Sequence, residues 1–225
     1  MPLAAPIPKR DDSLDTPQGP APMTASTLLF LPGAGASASF WQPVADLLPD
    51  DWPKVMLSWP GLGNEPHDPT IQGLDDLVDM VSACIAMSPT RVDLIGQSMG
   101  GLIAIRAALR HTYRIRRLVL TGTSGGLDVA SLGGTNWGPD YRQTYPNAAP
   151  WITEIRADHT ADIPRITTRT LLLWGDQDDI SPQAVGEHLL ALLPNATLQI
   201  IPGGDHGFPH DMPVETATAI ARHLA

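Results

Sequence analysis

A chain of 225 residues suffices for one domain with a substantial core and is short for two. Its 43% apolar content is an ordinary globular proportion, and a formal net charge of −10 argues against nucleic acid or an anionic membrane as the main partner. The single cysteine, Cys84, excludes an internal disulfide, and no stretch is long and apolar enough to span a membrane.

Residues 1–26 carry prolines at 2, 6, 8, 17, 20 and 22 without periodicity and read as a Pro-rich disordered or surface arm. Lys9-Arg10 is not followed by the apolar segment of a signal peptide, so a cytoplasmic location is expected. From residue 27 to 225 the pattern is that of a single domain. Short apolar runs rich in strand formers fall at Thr27–Leu31, Lys54–Trp59, Arg91–Ile95, Arg117–Thr121, Thr170–Trp174 and Thr197–Ile201. Helix-period segments lie between them, at about 40–48, 73–87, 99–111, 183–193 and 213–224. Continuously apolar strands alternating with helices predict an α/β fold, a mostly parallel twisted sheet with helices on both faces. One interval breaks the alternation. Residues 123–168 show no clear strand, and so long a connection reads as a small cap insertion over the site.

Gly96-Gln97-Ser98-Met99-Gly100 joins a strand-type run to a helix-type run. A serine hydroxyl is a weak nucleophile at neutral pH, so it needs exposure, a sharp turn and a neighbouring base. A strand–turn–helix elbow with flanking glycines supplies the exposed turn. Read alone, Leu31-Pro32-Gly33-Ala34-Gly35-Ala36 after the first strand is a tight turn or a phosphate loop, but it lacks the Lys-Ser/Thr of a P-loop and the third glycine of a dinucleotide site.

With these motifs in this order, the chain resembles the α/β-hydrolase fold superfamily from about Thr27 to the C-terminus, as a small serine carboxylesterase-like member with a short cap. The resemblance implies backbone oxyanion donors at Ala34 and Met99, with Pro32 departing from the frequent histidine of that loop. Trp59-Pro60-Gly61-Leu62-Gly63-Asn64 resembles the family's mainly structural loop after the next strand, and His67 beyond it reads as a surface residue. In Gly175-Asp176-Gln177-Asp178-Asp179, the resemblance selects Asp178 as the acid. Asp176 competes as a brace of the turn and Asp179 as a helix cap. In Gly203-Gly204-Asp205-His206-Gly207 it selects His206 as the base, with His210 the competitor at the entrance or the start of the final helix. The implied order is Ser98, Asp178, His206.

Trp137, Tyr141 and Tyr145 recur every four residues in the expected cap, either as a core-packing stripe or as an aromatic wall. Trp137, Tyr141 and Trp41 are the candidate substrate-binding residues. The expected function is serine hydrolysis of small-molecule carboxylic esters through an acyl-enzyme on Ser98, with no cofactor, no metal and no nucleic acid. Acyl transfer, perhydrolysis or lyase chemistry at the same site, and a non-catalytic ligand-binding role, are the alternatives.

Overall fold

A computed structural model describes residues 26–225, so the arm read over 1–26 lies almost wholly outside the described residues. Six parallel strands form one sheet: β1 (Thr27–Leu31), β2 (Lys54–Met56), β3 (Val92–Gln97), β4 (Ile115–Thr121), β5 (Arg169–Gly175) and β6 (Ala196–Ile201), in the spatial order β2-β1-β3-β4-β5-β6. The helices are α1 (Gln42–Ala45), α2 (Leu74–Met87), α3 (Met99–Arg110), α4 (Gly138–Thr144), α5 (Gln183–Leu192), α6 (Phe208–Asp211) and α7 (Pro213–Leu224). This is the α/β-hydrolase fold expected from the sequence. None of the described helices is long and apolar enough to cross a membrane.

The period-2 alternation of the inner strands sends their residues to two separate cores. Leu29, Leu31, Leu94, Leu118, Leu120, Leu172 and Trp174 pack on one face against α2, α3 and α5. Leu28, Phe30, Ile95, Val119, Leu171 and Leu173 pack on the other, under α1 and α7. Both sheet faces are therefore buried, which is why the strands read as unbroken apolar runs.

Two expected elements are shorter than their sequence patterns. The strand expected over Lys54–Trp59 ends at Met56, because β2 is an edge strand paired only with β1, through residues 54–56. The helix expected at about 40–48 is a 3₁₀ turn, Ala38–Trp41, followed by the single turn α1. Between β4 and β5 the chain runs through α4 and three short 3₁₀ turns.

Chain order and spatial order reverse between β1 and β3, since β1 connects outward to β2 and the chain then crosses to β3. Such a switch point opens a crevice at the carboxyl ends of the two strands. The loop after β1 and the turn after β3 meet there.

Candidate active site

Ser98 occupies the turn between β3 and α3 with φ 52° and ψ −120°, the only described non-glycine residue at positive φ. That strained conformation lifts the side chain out of the sheet's end. The flanking glycines permit it by close approach. A Cβ on Gly96 would stand 2.6 Å from the Gly100 carbonyl oxygen, and one on Gly100 would overlap the Leu31 carbonyl oxygen at the end of β1. The Ser98 N–H donates to the Thr121 carbonyl at 2.9 Å, tying the elbow to β4.

Asp178 and His206 project from the loops after β5 and β6. The Asp178 side chain is wholly buried, and its Oδ1 accepts N–H bonds from Ile180 at 3.0 Å and Ser181 at 2.8 Å. Its Oδ2 lies 2.9 Å from His206 Nδ1, and His206 Nε2 lies 3.0 Å from Ser98 Oγ. A carboxylate only accepts, so Nδ1 carries the proton and Nε2 is free to accept from the serine hydroxyl. The chain Ser98–His206–Asp178 is thus oriented for proton removal from Ser98. His206 keeps 21% of its side chain exposed, enough for a substrate to reach it.

The competitors take other places. Asp176 Oδ1 accepts the Gly203 N–H at 2.7 Å and so braces the histidine loop. Asp179 makes a backbone contact through its carbonyl to Thr135 N–H, and Pro182 precedes α5 as its N-cap without a side-chain cap hydrogen bond. His210 sits in α6, paired with Asp211 at 2.8 Å and stacked on Phe40. His67 Nε2 meets the Asn147 carbonyl at 2.6 Å, joining the loop after β2 to the segment after α4.

Ala34 lies in the turn Gly33–Ala36 and Met99 is the first residue of α3. Neither backbone N–H donates to another group among the described residues. Two unengaged amides beside a nucleophile, one of them at a helix N-terminus, can receive a developing negative charge. Trp41 is away from this surface, fully buried in the opposite core against Phe30. Trp137 is half-buried and packs edge-on against Tyr141, whose ring is buried and whose hydroxyl bonds to the loop after β1. An open depression of about 350 Å³ beside the loops after β1 and β6 is lined by Gly35, Ser37, Phe40, Gly207, His210 and Asp211 among others, and not by Ser98 or His206.

Gln97 is a contact that sequence reasoning missed. Its Nε2 donates to the His206 carbonyl at 3.0 Å, connecting the elbow directly to the histidine loop. The residue before the serine is a free position in the motif, so nothing in the pattern marks it.

A doubly covered parallel sheet with a serine elbow, a buried carboxylate and a histidine at successive strand ends defines the class of α/β hydrolases. The model of the alpha/beta hydrolase family matches residues 28–219, and the chain belongs to that family. Among its curated relatives is a putative carbamate hydrolase of Caulobacter segnis, 26% identical, with 80% of this chain and 84% of the relative covered. A pimeloyl-[acyl-carrier protein] methyl ester esterase of Neisseria meningitidis is 27% identical over 71% of this chain and 58% of its own length. An esterase from Thermogutta terrifontis has the same fold, with a TM-score of 0.70 at 22% identity, covering 89% of this chain and 90% of that one.

Proposed function

We propose that the protein is a serine carboxylic-ester hydrolase acting through an acyl-enzyme on Ser98. The observation that carries this reading is the continuous hydrogen-bonded chain from Ser98 Oγ through His206 to the buried Asp178. His206 Nε2 takes the Ser98 proton as Oγ attacks the ester carbonyl, and the oxygen's negative charge rests on the Ala34 and Met99 N–H groups. His206 then returns the proton to the leaving alcohol, and Asp178 steadies the imidazolium throughout. Water activated by the same imidazole hydrolyses the acyl group from Ser98. The relatives named as an ester esterase and a carbamate hydrolase support carbonyl hydrolysis as the reaction class. The short connection between β4 and β5, with only α4 and three 3₁₀ turns over the site, supports small, accessible esters over long buried acyl chains.

Treatment with an alkyl fluorophosphonate followed by peptide mass analysis tests the nucleophile. The expected adduct lies on Ser98 alone and is absent from Ser98→Ala; a folded protein that takes up no phosphonate contradicts the reading. Product analysis with added alcohol distinguishes hydrolysis, which gives only the free acid, from acyl transfer, which gives a new ester.

A further inference from the structure

Three carbonyls of the loop after β1 are each held by an aromatic side-chain donor. Trp59 Nε1 donates to Pro32 at 2.8 Å, the Tyr141 hydroxyl to Ala34 at 3.0 Å, and the Tyr145 hydroxyl to Gly35 at 2.9 Å. Tyr141 does more, because its oxygen also accepts the Gly63 N–H at 2.9 Å. One phenol in the cap thereby joins α4, the loop after β1 and the loop after β2. Tyr141 lies on α4 and Tyr145, four residues on, ends it, and both hydroxyls reach the loop after β1. We infer that Tyr141 is a positioning residue for the oxyanion hole, holding Ala34 so that its N–H faces the reacting carbonyl.

The argument is geometric. The Gly33 carbonyl is engaged by the Ala36 N–H, which fixes the peptide that carries the Ala34 N–H. Tyr141 fixes the next peptide through the Ala34 carbonyl, so Ala34 is held on both sides. Both Ala34 and Tyr141 are buried, each 8% exposed, leaving little room for water to replace a lost hydroxyl. Without that hydroxyl, the Ala34 carbonyl and the Gly63 N–H both lose a partner, and the loop turns to satisfy them. A ring that only lined the substrate pocket would not need these two bonds.

This inference rests on the serine-hydrolase reading, and its test separates the two. In the full-length protein, Tyr141→Phe is expected to lower kcat and the rate constant for Ser98 phosphonylation by about 10- to 100-fold, somewhat less than removal of an oxyanion donor outright, with KM changing by under about 2-fold. The pH–rate profile is expected to keep its shape. Tyr141→4-aminophenylalanine, which restores a donor to Ala34, is expected to recover most of the rate, and this rescue separates lost positioning from lost folding. Full activity in Tyr141→Phe, or a KM change that tracks acyl length with kcat intact, overturns the inference alone. Wild-type protein inert to both ester and phosphonate overturns the hydrolase reading and the inference together.

Discussion

At the scale of single residues, the site depends on groups that tolerate little change. Asp178 sets the proton on His206 Nδ1, so Asp178→Asn, with its own N–H donors, favours the wrong tautomer. The expected loss in kcat is about 10⁴-fold with the fold retained, as for the same change in a serine-protease triad, and steady-state kinetics beside a circular dichroism spectrum check it. Gly100→Ala places a methyl group into the Leu31 carbonyl, and both sides of that contact are backbone. We expect destabilisation by about 1–3 kcal/mol in urea melts, together with loss of activity as α3 is pushed from β1. The elbow glycines leave a local pattern in the sequence, whereas Asp178 was picked out from Asp176 and Asp179 only by resemblance to the family's acid loop. Gln97 was not legible, and Tyr141 was legible only as a core-packing or pocket aromatic. Gln97 acts through a contact 109 positions away, and a tyrosine pair at helical spacing looks the same whether it packs a core or holds a loop. Trp41 follows the loop after β1 closely in sequence, but the 3₁₀ turn Ala38–Trp41 places it in the core under α1 and α7.

Elements far from the site carry their own chemistry. Helix α7 docks beneath the sheet with His223 buried and its Nε2 unpartnered. Burial, and then the Arg117 and Arg169 guanidiniums at the starts of β4 and β5, push this imidazole down from 6.5 to about 4. In the unfolded chain it takes up a proton first, so the stability it contributes is complete above about pH 6.5 and is lost as pH falls toward 4. The shift corresponds to roughly 3 kcal/mol across that window. His223→Phe, which removes the titrating group and an unpartnered nitrogen, is expected to flatten the stability decline between those pH values in urea titrations. An unchanged pH slope would remove His223 from the account. This coupling was invisible in the sequence, where His223 is one polar residue in an amphipathic helix. The helix itself was legible, since Pro213 at its start and the apolar face through Ala217, Ile220 and Leu224 are local signals.

For the whole molecule, the sheet order places Ser98, Asp178 and His206 at one end of the strands, although Ser98 and His206 are 108 positions apart. The strand–helix alternation made that architecture legible. The route of the β4–β5 connection was not, because short 3₁₀ turns and a two-turn helix leave no clear periodicity. The connection is held down on the loops after β1 and β2 by Tyr141, Tyr145 and the Ala149 N–H. The most direct measurement is the initial hydrolysis rate of p-nitrophenyl esters graded from acetate to laurate, with Ser98→Ala in parallel. The account predicts turnover that is highest for the short esters and falls by at least about 10³-fold in Ser98→Ala. Folded wild-type protein with no turnover on any ester, or turnover that survives in Ser98→Ala, would contradict it.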